Sequence, residues 1–244
     1  MPNRESYMSD SLIVALDTDT DTQALDIARD LKSLVSTVKI GSALFTRYGP
    51  SLLTKLDQLG VEVFLDLKYH DIPSVVGKAC GHAASFPCVK MLTVHALGDS
   101  SMISEARKAL DSVEGPAPLL LAVTVLTSHE DSYLENLAVE PQFSTQDWAF
   151  RLAERALEAG ADGLVCSAHE VQAFRSEFGN EVVLVTPGIR PAGMDHSDQK
   201  RVMTPNEALQ AGSDYLVIGR PITEHRSPTE ATLSILSEIN FKNS

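Results

Sequence analysis

At 244 residues with 43% hydrophobic side chains, the chain is long enough for one large α/β domain or two small ones. Its formal charge of −13 disfavours nucleic acid or an anionic membrane as the main partner, and a small anionic substrate would need a locally basic pocket. The polar start MPNRESYMSDS lacks the apolar centre of a signal peptide, the longest apolar run (Leu119 to Val123) is too short to span a bilayer, and Cys80, Cys88 and Cys166 form no CxxC pair and have no companion His at zinc-finger spacing. A soluble, cytoplasmic protein without disulfide framework or structural metal is expected.

In chain order, eight short Val/Ile/Leu-rich runs predict strands: Leu12 to Leu16, Thr37 to Ile40, Val61 to Leu67, Val89 to Val94, Leu119 to Val125, Gly163 to Cys166, Val182 to Val185 and Tyr215 to Ile218. Between them lie helix-like segments such as Asp21 to Leu34, Pro50 to Leu59, Ser101 to Leu110, Thr145 to Ala159, Ala168 to Phe178 and Asn206 to Ala211. This alternation favours a parallel sheet with helices outside it, and the strand number favours a (β/α)8 TIM barrel over a doubly wound sheet. Turns at Leu59, Ala159 and Ala211 each end a helix on Gly and enter the next strand directly, suggesting one repeating unit. No linker or low-complexity tract divides the chain. It reads as a single domain over 1–244, with a short polar extension at 1–10.

The stretch FLDLKYHDIP, Phe64 to Pro73, places Asp66, Lys68, His70 and Asp71 at the end of an apolar strand. Side chains alternate along a strand, so Asp66 and Lys68 point the same way, while Asp71 already lies past the strand. A buried carboxylate beside a buried ammonium stabilises weakly, because both ions lose water, so a purely structural pair is a poor explanation. Barrel enzymes carry their active sites at the C-terminal ends of the strands, and the polar residues expected there are Asp17, Lys39, Asp66, Lys68, His95, Thr127, Gly188, Arg190, Gly219 and Arg220. After the last two strands, VTPGIRPAG and VIGRPI suit phosphate: a Gly lets backbone approach the anion, and an Arg offers a planar fork of donors.

FLDLKYHDIP, with ALD at Asp17, VKIG at Lys39, LTVHALG at His95, VLTS at Thr127, TPGIRPAG at Arg190, DQKRVMTP at Gln199 and YLVIGRPIT at Arg220, resembles the orotidine 5'-phosphate decarboxylase family from about Leu12 to Thr223, with every motif in order. The D-x-K-x-x-D core would be shared with related phosphosugar lyases; Arg190, Gln199, Gly219 and Arg220 narrow the match. The resemblance implies cofactor-free decarboxylation of orotidine 5'-phosphate to uridine 5'-phosphate, the last step of de novo pyrimidine nucleotide synthesis. It implies Lys68 as proton donor at ring carbon 6, within an alternating array of Lys39, Asp66, Lys68 and Asp71, and Asp66 near the reacting carboxylate. It further implies a homodimer in which Asp71 reaches the neighbouring subunit's site, Asp17 and Lys39 as ribose contacts, Thr127 and Gln199 as pyrimidine-side contacts, and Arg190, Gly219 and Arg220 as the phosphate grip. No metal ligand set is implied. Two rivals are a magnesium-dependent phosphosugar decarboxylase or aldolase, with the aspartates on metal, and a non-catalytic phosphonucleotide-binding protein.

The remaining candidates have simpler readings. The seven histidines show no helical i, i+4 pair and no HxH strand pair, so metal binding is not expected. His70 is expected to face away from Asp66 and Lys68, and His95 either to touch substrate or to bond a backbone carbonyl. Cys166 is expected to pack, Trp148 with Phe143 and Phe150 to dock a helix, and the acidic run Glu130 to Glu140 to be a solvated loop face. The long loops Thr127 to Ser144 and Arg190 to Gln199 are expected to serve as lids.

Overall fold

The Val/Ile/Leu runs become the staves of a closed barrel in a computed structural model that describes residues 10–129, 132, 144–191 and 203–240. The strands are β1 Leu12–Ala15, β2 Thr37–Gly41, β3 Glu62–Tyr69, β4 Val89–His95, β5 Leu119–Val123, β6 Gly163–Val165, β7 Val183–Pro187 and β8 Tyr215–Ile218. They follow one another in sequence order, every neighbour is parallel, and β8 returns to β1 through the pairs Leu12–Leu216, Ile13–Val217 and Val14–Ile218. The expected TIM barrel is therefore the observed fold.

Strand alternation sorts the apolar residues into two layers. Ile13, Ala15, Phe64, Met91, Leu121, Val123, Val165, Val185 and Val217 form one cluster that fills the barrel. Their strand neighbours, such as Val14, Leu65, Leu92, Ala122 and Leu216, join the larger cluster packed under the surrounding helices. Burial on both faces explains why these strands read as continuous apolar runs.

Local chemistry sets the connections. The helix Asp21–Leu31 is capped by Thr20, whose Oγ1 accepts the Gln23 N–H. Ser144 with Asp147 and Thr204 with Glu207 form reciprocal capping boxes before the helices Thr145–Glu158 and Pro205–Ala211. At the three turns singled out in the sequence, Gly60, Gly160 and Gly212 have φ of 71°, 101° and 108°, a region that costs glycine little and other residues much.

Among the described residues, four α-helices were not anticipated, Ser42–Tyr48, Pro73–Ala84, Arg220–Thr223 and Pro228–Asn240, nor was the short 3-10 turn Ala96–Gly98. Ser42–Tyr48 and Arg220–Thr223 start directly on strand ends and are too short for a periodic signal. Pro73–Ala84 is rich in small residues and Gly, which weakens its pattern. Those residues serve packing, since a Cβ on Gly77 would stand 3.2 Å from the Glu105 carbonyl oxygen of the neighbouring helix Asp99–Asp111.

Candidate active site

At the C-terminal mouth of the barrel, polar side chains replace the apolar layer on the same inward-facing positions. Lys68 Nζ donates to both Asp66 carboxylate oxygens at 2.9 Å, Lys39 Nζ lies 3.7 Å from Asp66 Oδ2, and Lys39 Nζ also lies 3.3 Å from Asp17 Oδ1. The result is an unbroken alternation, Asp17–Lys39–Asp66–Lys68, running from solvent inward and back out. Lys39 and Asp66 are each 11% exposed at the side chain, Lys68 34% and Asp17 58%. The inner pair has thus lost most of its water, and its mutual attraction mainly offsets that loss.

The backbone that carries Lys68 is distorted. Lys68 has a φ of 50°, one of two positive values among the described non-glycine residues. Such a conformation costs a non-glycine residue on the order of 1 kcal/mol or more and persists only where surrounding contacts enforce it. Here β3 pairs with β4 through Leu65–Leu92 and then Tyr69–Val94, so four steps on one strand match two on the other. Strain at the residue bearing the ammonium marks a place where position matters more than local stability.

A cavity of about 250 Å³ opens over this array, lined by Lys39, Asp66, Lys68, Thr127, Ser128, Cys166 and apolar residues that include Phe64, Val123 and Pro187. Close approach needs Gly41, where a Cβ would stand 3.1 Å from Asp17 Oδ1 and 3.3 Å from Lys39 Nζ. Cys166 is fully buried and its thiol is pushed well above the usual range by that burial, which keeps it uncharged and suits a packing residue.

The other expected residues fall as follows. Arg190 is buried after β7, its N–H donating to the Met203 carbonyl and its Nη1 to the Ile189 carbonyl. Gly219 and Arg220 follow the adjacent β8, so both arginines leave the same two-strand edge at the mouth. Asp71 is exposed past the end of β3, accepts the Ile72 N–H at 2.6 Å, and has no ion-pair partner among the described residues. Gln199, Phe143, most of the acidic run Glu130 to Glu140, and most of the two long loops lie outside the described residues.

His95 was expected to bond a backbone carbonyl or substrate. Its Nδ1 accepts the Leu97 N–H at 3.3 Å, its ring stacks on His70 with centroids 5.7 Å apart, and neither ring lines the cavity. Burial first, and then His70, Lys68 and His129, lower its pKa to about 4, so it is neutral at pH 7. Phe150 docks its helix edge-on against Phe174 at 4.7 Å, while Trp148 is partly buried beside the same core. Among the described residues, no three His, Cys, Asp or Glu side chains converge as a metal would require.

One residue of the site was missed. Thr93, fully buried on β4, donates from Oγ1 to Asp66 Oδ1 at 3.1 Å and accepts the Lys68 N–H at 2.8 Å. Its signal was its place on the same alternation as Met91 and His95.

Fold and site together define a class: a (β/α)8 barrel whose strand ends hold an alternating carboxylate–ammonium array over a cavity, with two arginines on the connections after β7 and β8. The chain belongs to the orotidine 5'-phosphate decarboxylase / HUMPS family, whose family model matches residues 10–235. It is 47% identical over 232 residues to the orotidine 5'-phosphate decarboxylase of Pseudoalteromonas translucida (strain TAC 125), covering 95% of this chain and 96% of the relative. It is 46% identical over 233 residues to the enzyme of the same name from Actinobacillus pleuropneumoniae serotype 5b, covering 96% and 98%. The crystal structure of orotidine 5'-phosphate decarboxylase from Lactobacillus acidophilus superposes with a TM-score of 0.82 at 38% identity, covering 95% of this chain and 99% of that one.

Proposed function

We propose that this chain decarboxylates orotidine 5'-phosphate to uridine 5'-phosphate, the last step of de novo pyrimidine nucleotide synthesis. One observation carries the mechanism: the Lys68 ammonium, gripped by both oxygens of Asp66, stands over a cavity that also exposes Lys39 and Thr127. When the bond between ring carbon 6 and the carboxylate breaks, its electron pair stays on carbon 6 in an sp2 orbital with no ring position to delocalise it. An ammonium about 4 Å away contributes roughly 4 kcal/mol at an effective dielectric near 20, which is about three powers of ten in rate. The same nitrogen then delivers a proton to carbon 6, and water restores it. Fixed charges supply this stabilisation without reorganising during the reaction.

Asp66 would sit near the departing carboxylate, and Asp17 with Lys39 would hold the ribose hydroxyls. Thr127 and Gln199 would meet the pyrimidine, and Arg190, Gly219 and Arg220 would grip the phosphate. Remote binding energy of that kind is used to position the reacting carbon. The metal-dependent rival gains nothing from this geometry, because Asp66 already faces two ammonium groups and a hydroxyl while Asp71 turns to Ile72.

The chain acts as one barrel domain and pairs as a homodimer, with Asp71 serving the partner's site. Support comes from its surroundings: Ile72 and Val75, directly after Asp71, are 62% and 45% exposed, an apolar surface of the kind that subunits cover. A cytoplasmic location fits the three free, buried cysteines. No described helix is long and apolar enough to cross a membrane.

An ultraviolet assay with orotidylate in excess chelator tests the proposal. Loss of orotidylate absorbance with stoichiometric CO2 is expected, and activity that needs an added divalent ion would overturn it. Mixing inactive Lys68→Ala and Asp71→Asn proteins should restore part of the turnover; none after verified subunit exchange would rule out shared sites.

A further inference from the structure

We infer that Thr93 is a positioning residue for this decarboxylation: through one hydroxyl it fixes both the Asp66 carboxylate and the backbone of Lys68, and thereby the place of the reacting ammonium. The inference rests on the proposed reaction. Between Leu65–Leu92 and Tyr69–Val94 the β3–β4 ladder skips residues 66–68, so the Lys68 N–H has no ladder partner. A shielded backbone donor must find an acceptor, and it finds Thr93 Oγ1 at 2.8 Å.

Donor chemistry then fixes the direction of the whole circuit. An N–H only donates, so the hydroxyl oxygen accepts there and keeps its proton free. A carboxylate only accepts, so that proton goes to Asp66 Oδ1 at 3.1 Å. Asp66 closes the loop by holding Lys68 Nζ with both oxygens at 2.9 Å. The two ends of Lys68, amide and ammonium, are thus tied together through Thr93 and Asp66. The tie spans the residue whose φ is 50°, and Thr93 is 0% exposed, so no water competes for its hydroxyl. If Thr93 only filled space, valine would serve as well.

Thr93→Val keeps the branched shape and removes the hydroxyl, whereas Thr93→Ser keeps the hydroxyl. Misplacing a reacting group by a fraction of an ångström costs about tenfold to a hundredfold in rate, so kcat should fall by that much in Thr93→Val while KM for orotidylate moves less than about threefold. Thr93→Ser should remain within about threefold of the unmutated chain. Independently of activity, exchange of the Lys68 amide hydrogen should be at least about tenfold faster in Thr93→Val and unchanged in Thr93→Ser. Should Thr93→Val not fold, Thr93→Ala carries the same readouts. A Val variant with kcat within about twofold of normal, a Ser variant as impaired as Val, or an equally protected Lys68 amide would each overturn the assignment. If the unmutated chain does not decarboxylate orotidylate, the functional reading fails first, and the exchange measurement still decides what Thr93 holds.

Discussion

On the β7–β8 side of the barrel, Val185–Tyr215, Thr186–Leu216 and Pro187–Val217 pair in unbroken register, and the arginines come only afterwards, in the connections that begin at Gly188 and Gly219. Across the barrel, β3 carries Asp66 and Lys68 within the strand itself, and the ladder to β4 shifts register to let them in. The tasks proposed for the two sides account for their different use of backbone. A phosphate spreads its charge over several oxygens and accepts many donor arrangements, so a regular strand followed by a Gly-led connection suffices. The proton donor of the proposed reaction has to be placed to within a fraction of an ångström relative to one carbon, which favours a buried strand that bears the distortion.

The largest test of that contrast is Lys68→Ala. If Lys68 acts as proposed, the variant loses both the charge beside the carbanion and the proton, so kcat should fall by roughly four powers of ten or more, while uridine 5'-phosphate still binds. Stopped assays at high enzyme concentration, with product binding by calorimetry, measure the two effects separately. A variant that turns over at a comparable rate would leave the β3 distortion without a purpose.

Leu121→Ala probes the apolar layer between the two sides. Leu121 is fully buried inside the barrel, beside Thr93 in the β4–β5 ladder, and does not line the cavity. Deleting its side chain leaves a hole and should cost about 2–5 kcal/mol in unfolding free energy. Denaturant titration reads that loss, and kcat per folded molecule should stay near normal. A large fall in kcat would mean that the layer beneath the charges also sets their geometry.

Arg220→Ala sharpens the comparison from the other side. Loss of a charge-assisted contact to phosphate should weaken nucleotide binding by about 1.5–3 kcal/mol, roughly tenfold to a hundredfold, and leave the unphosphorylated nucleoside almost unaffected. Equal losses for both ligands, measured by competition, would place the phosphate elsewhere.

How much of this was legible beforehand depended on whether parity was kept. The eight runs and the three glycine turns stood out because a doubly covered strand must be apolar throughout and a left-handed turn selects glycine. The shared direction of Asp66 and Lys68 was also readable. The distortion was not, because β3 gains an even number of residues over β4 between Leu65 and Tyr69, so the alternation of inward and outward side chains is unchanged and the sequence still reads as a regular strand. Thr93 escaped notice for a related reason: threonine is an ordinary strand residue, and nothing in LTVHALG marks its hydroxyl as shared between an amide and a carboxylate. Asp71 has no ion-pair partner among the described residues, and its place past the end of β3 was readable from the strand alternation.

The smallest expected effect concerns His95, which sits at the end of β4 between the distorted ladder and solvent. Its pKa of about 4 lies below the ordinary histidine value of 6.5, chiefly because it is buried. Between those two values the unfolded chain takes up a proton at this position and the folded chain does not. Stability that is fully present above about pH 6.5 is therefore lost progressively as pH falls toward 4. His95→Asn keeps an oxygen for the Leu97 N–H and removes the titration. Unfolding free energies from denaturant titration at pH 7 and pH 4.5 should then differ less in the variant than in the unmutated chain, by about 1 kcal/mol, with kcat at pH 7 nearly unchanged. Identical pH slopes would mean that the folded protein protonates His95 as readily as the unfolded chain, and a marked fall in kcat would bring the imidazole into contact with substrate, extending the reactive side of the barrel from β3 to the end of β4.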